Sequence, residues 1–188
     1  MMTAPDFFLF ESYSERMGAI PSFIKLEEER NFQWSDATLE QFDRNILRLK
    51  PKLIWISNPG NPTGQRVDGY KLLKLIEIAS YSNTFVVVDE AYFEYISRRD
   101  YPRTIDYLKR GRNIIILRSF SKIYGLAGLR IGYAMAKEVL INEINKVRQP
   151  FNTNSLAQLA AITALKDKEH LRKNFRLRHR IPITPRME

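Results

Sequence analysis

Two short apolar runs rich in β-branched residues, Phe85–Val88 and Asn113–Leu117, constrain the fold more than anything else in the chain. A strand with one face in water alternates apolar and polar residues. A strand with no polar face must be covered on both sides, as in a parallel sheet packed between helices. Lys52-Leu-Ile-Trp-Ile-Ser57 reads as a further strand that leads into a Pro/Gly-rich loop, Ile131–Ala136 as another, and Ser22–Leu26 as a short extended segment. Between them, Leu39, Phe42, Ile46 and Leu49 recur at helical spacing behind Ser35 or Asp36 as N-cap. Residues 67–81 place Leu72, Leu73, Ile76 and Ala79 on one helical face. Phe8–Met17, 137–147 and 154–173 also read as helices, the last begun by Asn152 or Asn154. The alternation predicts an α/β fold around a mainly parallel sheet, with no internal repeat and no linker between domains.

Ligands of open parallel sheets gather beyond the carboxyl ends of the strands. Asn61 follows one strand in Asn58-Pro-Gly-Asn-Pro-Thr-Gly64, Asp89 ends the next in Val86-Val-Val-Asp-Glu-Ala-Tyr92, and Lys122 follows a third in Ser119-Phe-Ser-Lys-Ile-Tyr-Gly-Leu-Ala-Gly-Leu-Arg-Ile-Gly132. The pattern therefore brings distant residues to one crevice. A lysine between hydroxyl residues and a glycine-rich turn, with Arg130 eight positions on, suits an amine that forms a Schiff base beside a bound phosphate. Each residue also has a local reading. Asp89 can cap the following turn, Tyr92 can be a core aromatic, Asn61 can shape a turn, Arg130 can cover a helix end, and Lys122 can be a solvated surface lysine, although the flanking Phe120, Ile123 and Leu126 argue against a merely exposed position.

Together, and in this order, the three segments resemble the class I/II, fold-type-I aminotransferases that use pyridoxal 5'-phosphate. Asp89-Glu-Ala-Tyr-Phe-Glu-Tyr95, Gly125-Leu-Ala-Gly-Leu-Arg-Ile-Gly-Tyr133 and Arg148-Gln-Pro-Phe-Asn152 are most similar to the histidinol-phosphate aminotransferase branch. The resemblance implies a three-layer α/β/α large domain with one antiparallel strand. It also implies catalytic roles for Lys122, Asp89 and Tyr92: Lys122 as Schiff-base amine and proton carrier, Asp89 on the ring nitrogen, and Tyr92 with Asn61 on the phenolic oxygen. Ser119 and Arg130 would hold the phosphate, with Ser121 as a second hydroxyl. The expected partners are an amino donor (histidinol phosphate or a related amine) and 2-oxoglutarate, in a cytoplasmic homodimer. Aromatic aminotransferases and threonine-phosphate decarboxylases share these motifs, and a non-catalytic relic or interaction fragment would keep them as well.

Members of that family run to about twice this length. The resemblance covers about residues 5–175, a partial cofactor-binding large domain without the small domain, and residues 176–188 read as a basic tail. Upstream segments of the family supply a phosphate loop, a ring-stacking aromatic and a tyrosine from the dimer partner; downstream ones supply the arginine that grips the substrate carboxylate. The chain alone is accordingly expected to be a poor catalyst.

Composition narrows the alternatives. The net charge is +9, but residues 166–188 hold eight Lys or Arg against three acids, so most of the excess is a solvated terminal stretch and no nucleic-acid partner is expected. There is no cysteine, hence no disulfide framework or thiolate metal site, and no metal is expected. The opening Met-Met-Thr-Ala-Pro-Asp lacks the basic and apolar regions of a signal peptide, and no apolar run is long enough to span a bilayer, so no membrane is expected.

Overall fold

The chain is described by a computed structural model covering residues 1–96 and 101–180, with side chains through Arg176. Six strands form one sheet in the order β2-β1-β3-β4-β5-β6: β1 is Met2–Ala4, β2 Phe23–Lys25, β3 Leu53–Ser57, β4 Phe85–Asp89, β5 Ile114–Ser119 and β6 Gly132–Met135. All pairings are parallel except β5 with β6, so the architecture is the expected α/β one with a single antiparallel strand.

The helices are α1 (Leu9–Arg16), α2 (Asp36–Leu49), α3 (Gly69–Tyr81), α4 (Thr104–Lys109), α5 (Glu138–Val147), α6 (Ser155–Lys166) and α7 (Lys168–Arg180). Ser35 is the N-cap of α2. Its hydroxyl accepts the Thr38 N–H at 3.3 Å while Thr38 Oγ1 accepts the Ser35 N–H at 3.1 Å, a reciprocal capping box. Asn154 rather than Asn152 caps α6, accepting the Ala157 N–H at 2.8 Å. The segment expected as one helix over 154–173 is two: Asp167 leaves helical geometry and its carboxylate accepts the His170 N–H at 2.9 Å, so it starts α7 afresh.

Period-two alternation sorts the central strands. Ile54 and Ile56, Val86 and Val88, and Ile114 and Ile116 face a core closed by Phe42 and Ile46 of α2 and by Leu72, Leu75, Ile76 and Ala79 of α3. Leu75 belongs to that core while Leu73 is only half-buried. Leu49, the last residue of α2, is exposed, so the apolar stripe ends a turn early. The opposite face carries Trp55, Ser57, Val87, Asp89, Ile115, Leu117 and Ser119, and Phe10 of α1 stacks on Trp55 with ring centroids 5.0 Å apart. Two elements went unforeseen: β1 is too short to show a period, and α4 is barely one and a half turns. No helix among the described residues is long and apolar enough to cross a membrane. The basic stretch runs into α7, and residues 181–188 of the expected tail lie outside the described residues.

Candidate active site

Register fixes the site. Ser57, the last residue of β3, pairs with Asp89, the last of β4, and Asp89 pairs with Leu117 of β5, two residues before Ser119 at that strand's end. Paired residues of parallel strands present their side chains to the same face, so the strand ends open onto one cavity of about 470 Å³. Asn61, Asp89, Tyr92, Ser119, Ser121, Lys122 and Arg130 all line it. The sequence scattered these residues over seventy positions, and the sheet brings them together.

Each is set by its local backbone. Asn58 is fully buried, its amide donating to the Val67 carbonyl at 3.2 Å and its oxygen accepting the Val67 N–H at 3.1 Å. That clamp closes the Pro/Gly-rich loop and delivers Asn61 to the cavity. Asp89 Oδ1 accepts the Ala91 N–H at 2.9 Å, so the turn-capping reading holds in addition to cavity exposure. The Lys122 ammonium lies 4.9 Å from the centroid of the Tyr92 ring, a cation–π contact that places amine and phenol side by side. Phe120 and Ile123 on either side of Lys122 are buried, whereas Lys122 itself is exposed; its apolar neighbours anchor the segment and leave the amine at an open mouth.

Ser119 Oγ accepts the Ser121 N–H at 3.0 Å, which leaves its own proton free to donate to an anion. Arg130 adopts the left-handed conformation (φ 54°) after the short 3-10 turn Ala127–Leu129, and its guanidinium donates to the Ala127 carbonyl at 2.7 Å. It therefore covers a helical end and lines the cavity at once. Gly132 allows β6 to close against β5, because a Cβ there would sit 2.8 Å from the Arg118 carbonyl oxygen.

Burial pushes the Asp89 carboxyl above the ordinary carboxylate range and nearby Asp6 adds to the rise; the Ala91 N–H and the Lys122 charge oppose it. The adjacent Glu90 points the other way and is fully buried. Arg118 Nε donates to it at 2.8 Å and the Tyr101 hydroxyl at 3.1 Å, and the Arg118 guanidinium lies 3.8 Å over the Phe93 ring. This pair braces the ends of β4 and β5 beside the cavity. Sequence reading did not single out Arg118, Glu90, Ser57 or Asp6. The first two carried a signal, opposite charges at the ends of neighbouring apolar strands. A second cavity of about 800 Å³ shares Arg118 with the first and is lined by Glu94, Tyr101, Tyr124 and Tyr133 among others.

The lining of the smaller cavity has a definite polarity. Hydroxyl groups and cations suit an anionic group, a carboxylate suits a basic nitrogen, and an amine stands beside a phenol.

Residues 1–181 match the family described as aminotransferase class I and II. The chain belongs to the class I and II aminotransferases. Among the relatives of this class I/II chain, the histidinol-phosphate aminotransferase of Caldicellulosiruptor saccharolyticus is 45% identical over 173 residues, which are 92% of this chain and 46% of that one. Histidinol-phosphate aminotransferase 2 of Bacillus thuringiensis subsp. konkukian is 50% identical over 133 residues, 71% of this chain and 36% of that one. The crystal structure of histidinol-phosphate aminotransferase from Sinorhizobium meliloti in complex with pyridoxal-5'-phosphate superposes with a TM-score of 0.81 at 26% identity, covering 93% of this chain and 46% of that one. The chain thus spans about half the length of the curated relatives it matches.

Proposed function

We propose that the smaller cavity binds pyridoxal 5'-phosphate and that its residues serve transamination between an amino donor, histidinol phosphate or a related amine, and 2-oxoglutarate. The observation that carries this reading is the convergence of Lys122, Asp89, Tyr92, Asn61, Ser119, Ser121 and Arg130 on one cavity of about 470 Å³. The donor set fits the cofactor at both ends: cation and hydroxyls for a phosphate, and a carboxylate for a pyridine nitrogen. When bound, pyridoxal phosphate supplies the electron sink that stabilises negative charge at the substrate α-carbon.

The chain's own groups do the rest. Asp89 would hold the ring nitrogen protonated, because an anion beside it favours the charged form. The Tyr92 hydroxyl and the Asn61 amide would donate to the phenolic oxygen. Ser119, Ser121 and Arg130 would hold the phosphate, the arginine through charge-assisted bonds. Lys122 would hold the cofactor at its aldehyde carbon, and its amine would carry the proton at the substrate α-carbon. Its contact with the Tyr92 ring, which also lines the cavity, supports this role.

The names of the relatives support histidinol phosphate as donor. A homodimer and a cytoplasmic setting belong to the same proposal, as does a limit on this chain by itself. Groups for ring stacking and for the substrate carboxylate are assigned to the remainder of a full-length enzyme, so residues 1–175 form the cofactor half of the site.

The test is chemical. Incubation with pyridoxal phosphate, reduction with borohydride and peptide mapping by mass spectrometry should place the adduct on Lys122, and Lys122→Ala should abolish it. Labelling spread over surface lysines and unchanged in Lys122→Ala would refute the assignment.

A further inference from the structure

Asp6 stands in the connection between β1 and α1, and all its described partners are neutral donors. Thr3 Oγ1 donates to its Oδ2 at 2.7 Å, the Phe7 N–H to its Oδ1 at 2.7 Å, and the Ser57 hydroxyl also to Oδ1. Among the described residues no ion pair includes Asp6. Its negative charge is solvated by three donors and cancelled by none.

The position of that charge gives it a consequence. Ser57 is the register partner of Asp89, so the two backbones are neighbours at strand spacing, roughly 4.8 Å, and their side chains share a face. Asp6 is hydrogen-bonded to Ser57, the residue directly across the ladder from Asp89. Because Ser57 gives its proton to Asp6, its oxygen is left to accept the Asn61 N–H at 3.1 Å.

We propose that Asp6 is a positioning residue that acts through Asp89, holding a second negative charge behind that carboxylate so that a proton at this end of the cavity, on Asp89 or on a basic ring nitrogen bonded to it, is retained. The inference rests on the proposed function for the identity of that nitrogen, and on the geometry alone for the coupling of the two carboxylates. Burial raises both acids above their ordinary range, and Asp6 adds to the rise at Asp89, the sign that like charges require. The other groups that act on Asp89 are the Lys122 ammonium and the Ala91 N–H, both of which oppose the effect; the Tyr101 hydroxyl, engaged by Glu90 and the Asn58 carbonyl, stays neutral because burial pushes its ionisation far up. Asp6 is therefore the acid that strengthens the hold on the proton.

A purely structural role predicts something different. Asp6 also anchors Ser57 and, through it, the Asn61 loop, and an uncharged acceptor does that equally well. Asp6→Asn separates the two roles: its oxygen can accept from Phe7 and Ser57 and its amide can donate to Thr3 Oγ1, so the bonds survive and the charge goes. The readout is a carboxyl-carbon NMR titration of the cofactor-free 188-residue chain labelled at aspartate side chains, with Asp89→Asn as assignment control and reciprocal variant.

In Asp6→Asn the Asp89 midpoint should move down by more than the fitting error, and in Asp89→Asn the Asp6 midpoint should fall by the same amount, because coupling between two sites is reciprocal. Asp6→Glu, where it folds, should keep the Asp89 midpoint high. An unchanged partner midpoint in either folded Asn variant overturns the proposal. If neither variant folds, the wild-type chain decides alone: coupled carboxylates give two-step titration curves in each other's pH range, and two independent single-step curves refute the coupling. Adding pyridoxal phosphate to the same samples keeps the two readings apart, since failure to bind defeats the proposed function and leaves the carboxylate coupling standing.

Discussion

Glu94 offers a test of the structure that needs no ligand. One of its carboxylate oxygens, Oε2, is buried without a hydrogen-bond partner in the wall of the larger cavity. Burial lifts its pKa from the ordinary 4.5 to about 7, with nearby Glu90 adding to the rise; Arg118, already committed to Glu90 at 2.8 Å, only partly opposes it. The sign follows from linkage. Between about pH 4.5 and 7 the folded chain binds a proton at Glu94 that the unfolded chain has lost, so stability is fully present below that window and falls as the pH rises through it. At about 1.4 kcal/mol per pKa unit the loss amounts to about 3 kcal/mol, an upper value because water still reaches part of this half-buried side chain. Glu94→Gln stays neutral throughout and removes the dependence. Denaturant unfolding of both proteins from pH 4.5 to 8.5 should show the wild type losing stability relative to Glu94→Gln by about 1–3 kcal/mol, most of it between about pH 5 and 7 and little above. A stability difference that stays constant across the range would refute the burial and the missing partner alike.

Two further outcomes are expected. Gly132→Ala forces a methyl to within 2.8 Å of the Arg118 carbonyl oxygen, so β6 must shift away from β5; thermal or denaturant unfolding should register a loss of about 1–3 kcal/mol, and an unchanged stability would show that the two strands are not in this register. Asp89→Asn keeps an acceptor for the Ala91 N–H and removes a carboxylate that burial and Asp6 make costly to ionise, so it should raise stability at neutral pH, and lowered stability there would contradict the raised carboxyl. In a full-length enzyme built around this chain, the same change should slow transamination by on the order of 10²-fold or more, several kcal/mol of barrier, and near-normal turnover would remove Asp89 from the ring nitrogen.

Much of the site was legible because its residues sit at strand ends, and strand ends are what an apolar run followed by a turn announces. Phe85–Val88 marked β4 and hence Asp89, and Asn113–Leu117 marked β5 and hence Ser119 and Lys122. The parallel sheet then did the gathering. What stayed hidden depends on tertiary register. Asp6 follows a strand of three residues, Met2–Ala4, whose pairing with β3 rests on backbone hydrogen bonds and leaves no period in the sequence. Ser57 looked like the last residue of a strand and nothing more, because its importance lies in being opposite Asp89. The exposure of Lys122 runs against what its apolar neighbours suggest: Phe120 and Ile123 are buried as their character implies, but burial of neighbours two and one positions away does not fix a side chain that leaves the loop in another direction.

The acids of this region show how the fold concentrates unfavourable charge. Asp6, Asp89, Glu90 and Glu94 all lie just after β1 or at and after the end of β4, and burial raises the proton affinity of each. Of these four, among the described residues, only Glu90 has a buried ion pair, with Arg118, together with the Tyr101 and Thr104 hydroxyls as donors; it braces the strand ends and, fully buried, is closed to a ligand. Asp89 differs in the respect that matters for chemistry, since one oxygen is engaged by the Ala91 N–H while the residue still lines the cavity. Glu90 is engaged by internal donors at both of its oxygens. A carboxylate held partly satisfied beside a second one is stabilised most by an incoming cation or protonated nitrogen. Perturbed carboxyls facing a cleft are candidates for functional sites for this reason, and here the contrast between two adjacent residues of one strand end separates the bracing acid from the one still open to the cavity.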